Sequence, residues 1–210
     1  MSSIRKKNET KILAAASQVF ALQGYAATKT LDIATLAGVP KANVYYYFGS
    51  KERLYSAVLE TIVEPLLTAT LPIETINDPA LALTEYIKTK LIISKDYPYA
   101  SKVFANEIMR GAPLLSHDIQ AKLMKQSNLL INKFKSWIAA DLMEDVSPHH
   151  LLFVIWSSTQ TYADFSWQIN AVIGKESLEE ADYHDAAELI TQLVLRGCRV
   201  KSTKVTILVE

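Results

Sequence analysis

The chain has 210 residues, half of them apolar, with 22 basic against 22 acidic side chains and a single cysteine. That length allows one large domain or a small one beside a medium one. The lone Cys198 excludes an intrachain disulfide framework, and no 18-residue apolar run or signal-peptide pattern is present, which points to a cytoplasmic protein with no membrane partner.

The expected fold is all-α, with about nine helices. Ile12, Leu13, Ala16, Val19 and Phe20 recur at helical spacing from Thr10 to Gln23, and Gly24 stops that helix. Thr30 is placed to cap a second helix running to about Ala37 and ended by Gly38. A third short helix covers Lys41 to Phe48. Ser50 caps a fourth through Leu54, Val58, Leu59 and Ile62, which Pro65 should end or kink. Asp78-Pro79 opens a helix to about Lys95, Pro98 starts another closed by Gly111, and the next runs from about Leu115 to Ala140. Ser147-Pro148 opens a long apolar helix to about Asn170, and Asp182 to Arg199 makes the last. Strand-like alternation is confined to Lys204–Val209, a short tail. The division expected is a head at 1–51, a body at 52–203 and a tail at 204–210.

Charge separates the same parts. Residues 1–51 hold seven Lys/Arg and two Asp/Glu, whereas the rest of the chain holds fifteen and twenty, so only the head suits an anionic partner. Within it, two short helices joined by a Gly turn have the layout of a helix-turn-helix, whose second helix enters the major groove of operator DNA. Ile33, Ala34 and Ala37 can pack on Val39 and Val44. That leaves Lys41, Ala42, Asn43, Tyr45, Tyr46 and Tyr47 to divide between groove, phosphate and scaffold. Lys41 suits a phosphate or guanine, Asn43 an adenine or phosphate, Ala42 a thymine methyl, and the tyrosine hydroxyls phosphates. Thr30 and Lys51 stand at helix N-termini, where backbone N–H groups favour a phosphate. Three consecutive tyrosines cannot all point inward, because successive residues on a helix lie about 100° apart.

The block Gly38-Val-Pro-Lys-Ala-Asn-Val-Tyr-Tyr-Tyr-Phe-Gly-Ser-Lys-Glu-Arg-Leu54 resembles the TetR family of one-component repressors, as do Ile12–Ala16 and Gly24–Thr28. The family pattern usually has a capping serine where this chain has Pro40. Further along, Lys95–Phe104, Glu107–Leu115 and Ile155–Phe165 resemble the pyrimidine-responsive branch of the same family. The resemblance implies a homodimer, a palindromic operator and uracil or thymine as effector. A paralogue sensing another small metabolite is the alternative within the family.

The helix from Pro148 is apolar nearly all round and should be buried on several sides, yet Ser157, Ser158, Thr159, Gln160, Thr161 and Asp164 lie in its middle. Two readings stay open: these residues line an effector pocket, or they bond one another at a dimer seam. In the first, the Gln160 amide matches an imide edge. Trp156 shares its face, Tyr162 lies close by, and Phe104 and Glu107 complete the wall. Dimerisation would use the last two helices, through Ala186, Leu189, Ile190, Leu193, Val194 and Gly197. No histidine or cysteine cluster has metal-ligand spacing, and neither a metal nor a cofactor is expected. A helical enzyme using Glu107, Asp164 and Tyr162 is the reading from another class.

Overall fold

The computed structural model describes residues 3–202, with side chains from residue 5. The tail at 204–210, with its strand-like alternation, lies outside the described residues. Those residues form eleven helices and no strand: α1 Ser3–Ala27, α2 Thr30–Ala37, α3 Lys41–Phe48, α4 Lys51–Thr68, α5 Leu71–Thr75, α6 Pro79–Asp96, α7 Pro98–Met109, α8 His117–Ala139, α9 Pro148–Asp164, α10 Ser166–Ile173 and α11 Glu180–Gly197.

The described residues divide into two compact units, 3–65 with 97–119 and 66–96 with 120–202. Within the first unit α7 packs on α1 although some seventy residues of chain lie between them. Most of α4 also belongs to the first unit. In that unit Tyr55 of α4 meets Phe20 edge-on at 5.0 Å and Tyr25 at 4.9 Å. Such aromatic pairs contribute about 0.5–1.5 kcal/mol each beyond their buried area. Ile12, Ala16, Phe20, Ile33, Leu54, Val58, Leu59 and Ile62 are buried around them.

Gly24 breaks α1 as its sequence predicts, with φ 75 and ψ 165, and one further turn follows. Ser50 caps α4 by accepting a 3.1 Å bond from the Arg53 N–H. Pro65 does not end α4, which runs on to Thr68. The proline removes one N–H only a few residues from the helix end, so few intrahelical bonds depend on it. Residues 51–75 are long and apolar enough to cross a membrane by length and composition. The apolar row Leu54, Tyr55, Val58, Leu59, Ile62 and Val63 is instead the buried face of a core helix, with Glu60 and Glu64 exposed.

In the second unit α6 is central, packing on α5, α9 and α11. Tyr86, Ile87 and Leu91 of α6 are buried, as are Leu151, Leu152 and Ile155 of α9 and Ala186, Ile190 and Val194 of α11. The single helix expected from Pro148 to Asn170 is broken at Phe165 (φ −109, ψ 29) into α9 and α10. No glycine or proline marks that break. Burial all round is not found either: Phe153 and Val154 are exposed, and α10 buries none of its eight residues.

Candidate nucleic-acid interface and effector site

The turn between α2 and α3 is set by Gly38 at φ 65, a left-handed conformation that lets the backbone close on the last turn of α2. The Gly38 N–H reaches the Thr35 carbonyl at 3.2 Å, and the Val39 N–H reaches that of Ala34 at 3.0 Å. Pro40 begins α3 without a side-chain cap. Its carbonyl accepts a 2.9 Å bond from the Asn43 N–H, leaving the N-terminal N–H groups without the usual capping oxygen.

Val44 is the buried residue of α3. Lys41, Ala42, Tyr45 and Tyr46 are exposed, while Asn43 and Tyr47 are half-buried. Two tyrosines are steered by neighbours. The Tyr45 hydroxyl lies 3.0 Å from Thr30 Oγ1, and Tyr47 accepts a 3.3 Å bond from the Asn8 amide. Tyr46 sits edge-on against Tyr47 at 5.1 Å, and the Lys41 ammonium lies 5.9 Å from the centre of the Tyr45 ring. Thr30 is buried and is the first residue of α2 rather than its cap, a position held by Lys29.

Lys51 is placed differently. Its ammonium donates to the carbonyls of Thr28 at 2.7 Å and Ala26 at 3.3 Å, and it stands 4.7 Å over the Tyr25 ring. It therefore clasps the α1–α2 connection to the start of α4. Sequence reasoning missed Lys29, an exposed cation immediately before α2; a basic residue just ahead of a helix start was the available signal.

In the second unit the α6–α9 seam is polar. The Trp156 indole N–H donates to the Tyr86 hydroxyl at 3.0 Å, and Ser94 donates to the Thr159 carbonyl at 3.0 Å. Between Tyr86 and Ser94, one turn from each, Lys90 is buried and faces the charge of Asp164. Burial pushes the Lys90 ammonium down to about 8, against the pull of the Asp164 carboxylate. Burial also pushes the Tyr86 phenol up. Gln160 and Tyr162 are half-buried, and the Tyr162 ring lies 6.1 Å from that of Tyr183.

The hydroxyls in the middle of α9 need neither pocket nor partner chain. Ser157 and Ser158 bond the Val154 carbonyl at 3.1 and 2.7 Å, and Thr159 bonds that of Ile155 at 2.7 Å, the back-bonding open to Ser and Thr in a helix. Tyr86 and Lys90 were not singled out by sequence. Their signal was a tyrosine and a lysine one turn apart in an apolar helix.

Phe104 and Glu107 belong to the first unit, whereas Trp156, Gln160 and Tyr162 belong to the second. Glu107 is fully buried. Its carboxylate accepts the Tyr55 hydroxyl at 3.1 Å and the Leu114 N–H at 2.5 Å, joining α7 to α4 and to the turn after it. Phe104 is half-buried one turn earlier on α7.

Lys90 has a measurable signature. Its folded pKa of about 8 lies below the ~10.4 of a free lysine, so the unfolded chain binds more protons between those values. Its contribution to stability therefore rises with pH across about 8 to 10.4. Between pH 7 and pH 10.4 the wild type should gain about 1–3 kcal/mol of stability relative to Lys90→Met. Urea unfolding of both proteins at the two pH values checks this, and a pH-independent gap would refute it.

The first unit holds a helix-turn-helix with an exposed second helix, and the second unit holds a buried polar seam. Residues 12–58 match the bacterial regulatory proteins of the tetR family, and residues 59–201 match the C-terminal region of YcdC-like proteins. The chain belongs to the TetR family of transcriptional regulators. It is 38% identical over 195 residues to the HTH-type transcriptional regulator RutR of Escherichia coli K12, covering 90% of this chain and 89% of that one. Solved structures of similar fold include the ketosteroid transcriptional regulator KstR2 of Mycobacterium tuberculosis, at TM-score 0.76 and 17% identity over 94% of this chain and 96% of that one. AibR in complex with isovaleryl coenzyme A and operator DNA matches at TM-score 0.67 and 17% identity, over 89% and 97%.

Proposed function

We propose that the protein is a cytoplasmic repressor that holds a palindromic operator as a homodimer and is released by a small pyrimidine such as uracil or thymine. The observation that carries the DNA reading is the exposed set Lys41, Ala42, Tyr45 and Tyr46 on α3, with Asn43 half-buried among them. Asn43 and Ala42 suit base edges, whereas Lys41 and the tyrosines suit phosphates, with Thr30 orienting Tyr45. Lys51 supports the surface from its carbonyl clasp. The homodimer reading is supported by exposed apolar residues on α9 and α11. The expected α11 stripe splits: Ala186, Ile190 and Val194 turn into the chain's own core, while Leu189 and Leu193 stay exposed, like Phe153 and Val154 of α9. Two copies are also what reading two half-sites requires.

The pyrimidine reading rests on the Gln160 amide, which offers a donor and an acceptor to an imide edge beside the Trp156 ring. The resemblance of Ile155–Phe165 to pyrimidine-responsive relatives supports the same ligand. Phe104 and Glu107 are not assigned to it, because Glu107 already has two partners in its own unit. Selection of bound duplexes from random DNA, followed by fluorescence anisotropy, tests the whole reading. Asn43→Ala should lose about 10-fold or more of the preference for the selected site, and millimolar uracil or thymine should release the wild type. An unchanged preference would remove Asn43 from the groove, and full retention with both pyrimidines would remove them as effectors.

A further inference from the structure

We infer that Lys90 selects the effector: its ammonium donates to a ring carbonyl oxygen, so that the site takes a keto-bearing pyrimidine and rejects the corresponding amino compound. This rests on the pyrimidine reading above and adds the group that reads the ring's polarity.

The α6 residues that face α9 are Tyr86, Lys90 and Ser94, spaced one turn apart. On α9 the residues Trp156, Gln160 and Asp164 are spaced in the same way. Tyr86 and Ser94 are satisfied, the first by the Trp156 indole N–H and the second by donating to the Thr159 carbonyl. Lys90 lies between them at 6% exposure, and Asp164 supplies an opposing charge. An ammonium carries three donors and no acceptor, so a ligand bound in this seam can offer it only an acceptor such as a carbonyl oxygen.

Gln160 cannot make this choice alone. Its amide carries both a donor and an acceptor, and turning it over matches either the imide edge of uracil or the amino-pyrimidine edge of cytosine. Selection between the two rings needs a group of fixed polarity. Lysine is one, and at neutral pH a group titrating at about 8 is mostly protonated and remains a donor. It donates to the uracil carbonyl and opposes the cytosine amine, a donor facing a donor.

Isothermal titration and thermal shift with uracil and with cytosine, on wild type, Lys90→Met and Gln160→Ala, test the inference. Wild type should bind uracil about 10- to 100-fold more tightly than cytosine, the range of one hydrogen bond to a charged group. Lys90→Met should bring that ratio close to one, chiefly by weakening uracil. Gln160→Ala should weaken both rings and preserve the preference. Lys90→Gln provides a second variant, in which a reversible amide replaces the fixed donor and the preference should again collapse. A wild-type ratio retained in both Lys90 variants would overturn the inference while leaving the pyrimidine reading intact. Tighter binding of cytosine to the wild type would overturn it in favour of Asp164 as the reader. Failure of both rings to bind the wild type would remove the inference and the pyrimidine reading together.

Discussion

Affinity for duplex DNA should fall about a thousand-fold or more between roughly 50 and 200 mM salt, the loss expected when some 6–10 phosphates are neutralised and their counterions released. Six cations of each head are exposed: Arg5, Lys6, Lys7, Lys11, Lys29 and Lys41. In the proposed homodimer the two copies would bring twelve, of which about half need reach the backbone. Lys51 is excluded from the tally because carbonyls of Ala26 and Thr28 hold its ammonium. Arg5 is paired with Glu9 at 3.1 Å, a surface contact that salt screens as well. A plot of log affinity against log salt should therefore be steep. Lys29→Ala and Lys41→Ala should each reduce its slope by about one per head without changing the preferred sequence. A slope near zero would mean that the positive head is not a phosphate surface.

The second large effect falls on stability. Glu107→Ala should destabilise the protein by about 3 kcal/mol, because it leaves the Tyr55 hydroxyl and the Leu114 N–H without their acceptor in a fully buried place and opens a cavity. For a chain of this size that corresponds to a melting temperature lower by roughly 6–12 °C. Glu107→Gln keeps one carbonyl oxygen and should lose less than half as much. Tyr55→Phe, which removes a single donor and keeps the ring packed on Phe20 and Tyr25, should cost only about 1 kcal/mol. Calorimetry on the three variants checks the order. Melting of Glu107→Ala at the wild-type temperature would show that the buried carboxylate ties nothing together.

Those results bear on what Glu107 is for. From sequence it stood as a candidate wall of an effector pocket, since a glutamate in an amphipathic helix beside a phenylalanine has the right chemistry. In the folded unit its two acceptor bonds hold α4 and the turn after α7. Tyr55 lies 52 positions away in the chain, so no helical period on either segment could announce the pair. Lys51 follows the same logic. Position at a helix N-terminus suggested a phosphate, and the carbonyls that claim it come from the end of α1 and the residues before α2.

What the amino-acid order determined by itself was local. Gly24 and Gly38 placed breaks where a positive φ is needed, and Ser50, Pro98 and Ser147-Pro148 marked helix starts. The spacing of Ile33, Ala34, Ala37 and Val44 specified which faces of α2 and α3 turn inward, and the three consecutive tyrosines of α3 could not all follow them, whereas the fold chose Tyr45 and Tyr46 to stay outside. Each of these depends on a residue's own φ, its capping chemistry or its phase on one helix. Tertiary structure alone decided that α11 divides its apolar stripe between its own core and the surface. It also decided that α9 stops at Phe165, and that Lys90 is buried opposite Asp164 beside the Tyr86–Trp156 bond. The physical reason is common to all three: a helix's period states which side is apolar, whereas which neighbour covers that side, and which charge is enclosed with it, depends on chain brought in from far along the sequence.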